Sequence, residues 1–572
     1  MPVVDERPER IAHARRMRCR RPGRAALALL AFVACARGGD DARSRIPARD
    51  GPLSITLTYP TPGTIVPTVD SIALWGTIGT GRATLTVDGR PVTVEANGTF
   101  ATFVPVAAGP APRLVLVARR GRDSVAHVVP LERRAAPTAG RPAGTATESA
   151  MAASGKVADR EAAGGEAASG ARAGGVAVSR THDGIRDWSR WVRVRRLPSD
   201  TADSATQWRP IYSRWRPSGE VALALPQGMR LRADARIGHF IRLRLAPDVR
   251  VWIPAVDADT LAPARRDLLD ASPPRITADS AEWRVAIALP ERLPTTVELS
   301  GDRLLWTIYG ARWRAPPPAQ SGDGNPVRRL VPRDSAAERI VVDLGLTSLP
   351  LGWRTEWRDG ALQLRLRRFP PRAPSLAGLI VTLDPGHPPD GTMGPSGLME
   401  DSVTLAVARV AADRLRALGA TVRLTRNDRR PLSLEARAAI AEHADAHAFV
   451  SIHLNAPGPG RPPDAVFGTQ VYWMNPNGRA LARILSTEVA RALGQRSLGS
   501  FDGEYAVLRP AWAAAALVEG SGIVIPEREA FFRTPAGVEA YAQGIVAGLR
   551  RWWGSEGART LPARPPQGRP SR

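Results

Sequence analysis

Apolar and polar positions change rhythm along the chain, and the changes mark its parts. Over residues 376–554, short apolar runs alternate with amphipathic stretches. The runs at 379–383, 421–425, 448–454, 469–473 and 514–518 read as buried strands, while about 401–418, 432–444, 477–494 and 535–553 place apolar residues at helical spacing. Strand and helix in turn, with strands apolar on both sides, predict a mostly parallel sheet covered by helices on both faces. Two earlier regions, 53–131 and 181–372, show the two-residue alternation of strands broken by Gly and Pro.

In the first of these, "ATLTVDGRPVTVEANGTFATFVPV" alternates around Asp88-Gly89 and Asn97-Gly98, two hairpin dipeptides. The pattern resembles an immunoglobulin-like sandwich of bacterial surface proteins. With no cluster of titratable groups, 53–131 is expected to be a spacer or docking module. Within 181–372, residues 238–261 resemble a bacterial SH3-like repeat, and 272–370 resemble the β-rich wall-targeting modules that precede some wall hydrolases. Ten of the 15 Trp fall in this region, from Trp188 to Trp357. Trp interleaved with Arg could stack on a glycan or a nucleic-acid strand; Trp at alternating strand positions favours a core role instead. Residues 132–180 turn to Ala, Gly, Glu, Arg and Ser and predict a flexible linker. The Pro-, Arg- and Gly-rich 555–572 predict a disordered tail.

The N-terminus adds an address. Six Arg between Arg15 and Arg24 precede ten apolar residues, 25–34, which end at Cys35. A basic flank and a short apolar run read as an export signal, too short to span a bilayer. Phe32-Val-Ala-Cys35 resembles the bacterial lipobox, which predicts a signal peptide over 1–35 cleaved before Cys35, lipidation of Cys35 and a membrane-anchored protein of the periplasm or cell envelope. Cleavage would remove Cys19, the second of the two Cys, so no intrachain disulfide is expected. At 572 residues the chain should hold three or four domains. Its net charge of +24 comes from Arg, since Lys156 is the single Lys. Such a charge favours anionic partners, but the Arg are scattered and the export signal argues against nucleic acid.

The chemistry concentrates in "LDPGHPPDGTMGPSGLME", residues 383–400. Active groups in open α/β sheets gather beyond the carboxyl ends of strands. His387 lies just past the first strand, His453 ends "AFVSIHLN", Glu519 ends "AAALVEG", and Glu400 opens a helix. Two His and one carboxylate form a catalytic zinc set with a fourth position for water. The remaining carboxylate would move protons, and spacing alone leaves open which of Glu400 and Glu519 does so.

The motifs "LDPGH", "GPSGLMED", "LTRND", "SIHLNA" and "LVEG", in this order over about 375–552, resemble the zinc-dependent N-acetylmuramoyl-L-alanine amidases of the family-3 type. The resemblance implies a mixed-sheet α/β fold in which His387, Glu400 and His453 bind one Zn2+ and Glu519 is the catalytic Glu. It implies hydrolysis, through a zinc-activated water, of the amide between N-acetylmuramic acid and the L-Ala of the peptidoglycan stem peptide. Asp384 is expected to hydrogen-bond loop amides or a ligand His, and Asn455 to touch substrate. Arg426 and Arg437 match Arg positions of the family, with ion pairing expected of both. His443 and His447 read as surface groups. The chain departs from the family at Pro388-Pro389, where Gly-Gly is usual, at Ala514 for Pro and at Gly522 for Phe. Alternatives are a non-catalytic wall-binding protein that keeps the fold and a zinc peptidase cutting within the stem peptide. The β modules could hold the chain near wall polymer or a wall or divisome protein.

Overall fold

The sheet that carries the candidate residues has six strands: β1 (Ile380–Pro385), β2 (Thr421–Leu424), β3 (Ala448–Asn455), β4 (Thr469–Trp473), β5 (Ser497–Asp502) and β6 (Ala514–Gly522). Its helices are α1 (Glu400–Ala417), α2 (Leu434–His443), α3 (Pro476–Ala492), α4 (Pro526–Phe532) and α5 (Pro535–Trp553). They come from a computed structural model that describes residues 46–61, 64–66, 70–109, 111–133, 185–195, 211–217, 219–262, 268–335, 338–371, 375–388, 391–458, 460–555 and 559–561. The export signal with Cys35, the linker from 134 onward and residues 562–572 lie outside the described residues.

Strand order is β2-β1-β3-β6-β4-β5. The first four run parallel, β4 is antiparallel to β6, and β5 follows β4, so the sheet is mixed. Alternate residues of β3 serve two cores, as the strand pleat requires. Ala448, Val450, Ile452 and Leu454 pack with α1, α3 and α5, whereas Phe449 joins a smaller cluster with α2. Ser433 and Thr534 cap α2 and α5 by accepting the amides of Ala436 and Gly537. Two elements were not anticipated. β5, Ser-Leu-Gly-Ser-Phe-Asp, lacks an apolar alternation, and α4 spans only seven residues.

The N-terminal module has two sheets, one of Thr56–Tyr59, Ser71–Thr77 and Thr99–Pro105 and one of Thr84–Val87, Arg90–Val92, Arg113–Arg120 and Asp123–Pro130. Both contribute to one apolar cluster. Asp88 and Gly89 have φ of 49° and 77°, the paired left-handed geometry that their hairpin turn needs. Glu132–Arg133 pairs in parallel with Ile65–Val66, so the module extends past the expected linker start at 132.

The 181–372 region divides in two. Residues 186–261 form a seven-stranded antiparallel sheet around their own cluster. Residues 269–367 form a two-stranded, a four-stranded and a five-stranded sheet around another. Trp252, Trp283, Trp306, Trp313 and Trp353 are buried, as core residues, while Trp215 is exposed. The tail is corrected in part. The Leu349 amide donates to the Arg559 carbonyl at 2.9 Å, and Leu561 packs on the 269–367 cluster. No helix among the described residues is long and apolar enough to cross a membrane.

Candidate active site

β1 ends at Pro385, and His387 follows with φ of 58°, a left-handed backbone that turns its ring over the sheet edge. Across the neighbouring strands, His453 of β3 stands opposite Glu519 of β6, and Glu519 stands opposite Gln470 of β4. Gly386 makes room for this row. A Cβ there would lie 2.4 Å from Cε1 of His453. Glu400, the first residue of α1, is brought back by residues 391–399. Its carboxylate and amide both bond Thr392, the Thr392 amide donating to Oε2 at 3.0 Å and the Glu400 amide donating to the Thr392 carbonyl at 3.0 Å. The Leu454 amide donates to Oε1 at 2.9 Å.

The sheet edge therefore collects all four predicted groups. His387 Nε2 lies 3.3 Å from Glu400 Oε1, and His453 Nδ1 lies 3.2 Å from the same oxygen. The three donor atoms fall within 4.8 Å of one another. Zinc bonds of ~2.0 Å at tetrahedral angles would place donors about 3.3 Å apart, so this donor set fits a single zinc ion. Burial alone would raise the Glu400 carboxyl, but the two imidazoles bonded to it hold it well below the usual range. Burial pushes His453 down, towards the neutral form that can ligate a metal.

Glu519 is 1% exposed, and neither carboxylate oxygen meets a hydrogen-bond partner among the described residues. Burial, and secondarily the charge of Glu400, push its carboxyl well above the usual range. A buried carboxyl without partners is costly to ionise, so once ionised it binds a proton tightly.

The surroundings differ in part from expectation. The Asp384 oxygens accept from Thr425 Oγ1, from Ser451 Oγ at 2.7 Å and from Arg437 Nη1 at 2.8 Å, and among the described residues from neither a loop amide nor a ligand imidazole. Its link to the site runs through Arg437, which also donates to the carbonyls of Pro385, His387 and Pro388. Arg437 is thus an ion-pair partner, as expected. Arg426 instead donates to the carbonyls of Pro385, Gly386, Asp401 and Asp428. His443 is exposed, but His447 is not a surface group. Its Nδ1 accepts the Ile380 amide at 2.9 Å, and its ring packs on Trp553.

Asn455 is half-buried beside the site and donates to Gln470 Oε1 at 2.9 Å, which also accepts Tyr472 Oη at 3.0 Å. Gln470 was not singled out in the sequence; its place opposite Glu519 depends on the antiparallel register of β4. Tyr541 was missed too. From α5 its hydroxyl donates to the carbonyls of His453 and Val518, 3.0 Å from each, and fastens the two functional strands together. The departure at Gly522 has a local cause, since a Cβ there would lie 2.5 Å from Val466 Cγ2.

The profile of the N-acetylmuramoyl-L-alanine amidase family matches residues 381–551. These residues are a domain of that family. The amidase domain is similar to the probable cell wall amidase LytH of Staphylococcus epidermidis, with 29% identity over 184 residues, 32% of this chain and 60% of that protein. LytH of Staphylococcus aureus is 31% identical over 179 residues, 31% of this chain and 58% of that protein. The chain thus spans about three-fifths of the length of these curated relatives. Among solved structures, the amidase AmiC2 of Nostoc punctiforme is 30% identical, covering 31% of this chain and 98% of that one, with a TM-score of 0.29.

Proposed function

We propose that the chain is a peptidoglycan hydrolase that cleaves the amide between N-acetylmuramic acid and the L-Ala of the stem peptide. One observation carries this reading: a three-donor cluster of His387, Glu400 and His453 stands beside Glu519, a buried carboxylate without partners among the described residues. Zinc held by His387, Glu400 and His453 would supply an activated water and polarise the substrate carbonyl. Glu519 takes up the proton lost by the attacking water and returns it to the leaving L-Ala nitrogen, and burial raises its proton affinity for the first of these transfers. Glu400 stays ionised, because two imidazoles and two backbone amides face it. Asn455 and Gln470 line the approach to Glu519 and orient the stem peptide.

The basic, apolar N-terminus ending at Cys35 supports export and lipid anchoring in the cell envelope. The β modules then hold the amidase domain near wall polymer or an envelope protein. Digestion of purified peptidoglycan by the pure, zinc-loaded chain tests the reading. Mass spectrometry should find intact stem peptides with a free L-Ala amino terminus. Fragments cut inside the stem would make the chain a peptidase, and no release would make it a binding protein.

A further inference from the structure

We propose that the N-terminal sandwich is a working part of the metal site, with Trp75 as the positioning residue that holds the loop carrying Glu400. The proposal rests on the function above in that Glu400 is taken as a metal ligand.

Strand Ser71–Thr77 is buried on both of its faces. Ile72 and Leu74 point into the sandwich, whereas Ala73 and Trp75 belong to the main apolar core of the amidase domain. Trp75 is 5% exposed and is stacked on Tyr59 at 4.4 Å with an interplanar angle of 16°. Its indole N–H donates to the Met393 carbonyl at 3.0 Å, and Thr58 Oγ1 donates to the Pro395 carbonyl at 3.4 Å. Met393 directly follows Thr392, the residue joined to Glu400 through both its amide and its carbonyl, and Met393 and Met399 form a bridge that closes the loop.

The amidase domain grips the same loop from its other side. Glu529 of α4 accepts the amides of Ser396 and Leu398, and a Cβ on Gly394 would lie 2.6 Å from its carboxylate. Arg533 donates to the Ser396 carbonyl at 2.9 Å. The loop amides are thus answered from inside the domain, while the Met393 and Pro395 carbonyls are answered only by the sandwich among the described bonds. A metal ligand borne on a loop is only as well placed as the groups that fix the loop, and such outer contacts set metal affinity.

The test uses the full chain. Zinc affinity is measured by competition with a chromophoric chelator for the wild type, Trp75→Phe and Thr58→Val, alongside kcat, KM and the melting temperature of the metal-free proteins. Trp75→Phe keeps an aromatic ring against Tyr59 and removes the N–H. It should weaken zinc binding about tenfold and lower kcat with KM little changed. Thr58→Val should weaken binding about threefold, and it decides the matter if Trp75→Phe does not fold. Variants that bind zinc as tightly as the wild type would overturn the proposal while leaving the amidase reading intact. A wild type that binds no zinc would overturn the amidase reading itself.

Discussion

Arg367 at the amino end of the central sheet and Glu519 at its carboxyl end are buried in opposite ways. The 269–367 module docks at the amino end, and there the buried Arg367 and Trp512 have partners. Arg367 donates to the carbonyls of Ala446 and Asp445 and lies 4.8 Å over the Trp512 ring, and the Trp512 indole donates to Asp445 Oδ1 at 2.8 Å. At the carboxyl end, Glu519 has none among the described residues. The contrast recurs at shorter range between two carboxylates of that same end. Asp384 and Glu519 are both 1% exposed or less, yet Asp384 meets Thr425, Ser451 and Arg437. Full pairing stabilises a fold, and an unmet acceptor beside three donor groups marks where a reaction takes the place of a hydrogen bond.

Variants can break this contrast from either side. The largest effect should come from His453→Ala, which removes a donor from the cluster. The protein should lose its zinc and turnover together, by at least about a thousandfold, as followed by elemental analysis and peptidoglycan release. Asp384→Asn should act on stability instead, because it leaves the Arg437 guanidinium buried without its counter-charge. A loss of about 3 kcal/mol in denaturant unfolding is expected, with one zinc per folded chain retained. Loss of metal without loss of stability would place Asp384 among the functional groups.

The smallest effect concerns pH at the amino end. Burial, aided by Arg367, pushes His447 down to about 4 from its ordinary 6.5. The unfolded chain then binds the extra proton between pH 6.5 and 4. His447 therefore contributes full stability above pH 6.5 and loses it progressively as pH falls towards 4, by up to about 3 kcal/mol. His447→Asn can still accept the Ile380 amide and should flatten this loss. An unchanged pH profile in the variant would show that the imidazole is not buried neutral.

Much of the candidate site's layout was legible because strand ends and motif residues coincide. His387, His453 and Glu519 each follow or end an apolar run, and such runs locate buried strands without knowledge of their neighbours. Gln470 and Tyr541 were not legible, because their roles follow from register and helix packing. Trp75 shows the same limit across modules. "SIALWGT" has five consecutive buried residues, and a strand hidden on both faces cannot belong to a free spacer. The sequence shows the run but not which surface covers its second face. His447 was misplaced because its burial depends on Trp553 and on the start of β1, both distant in the chain.

The division of labour between the two glutamates is the centre of the account, and Glu519→Gln with zinc titration and turnover measured on one preparation tests it most directly. The variant should bind one zinc per chain as tightly as the wild type and lose about a thousandfold or more in kcat. A variant that fails to hold zinc, or one that still turns over substrate at the wild-type rate, would contradict it.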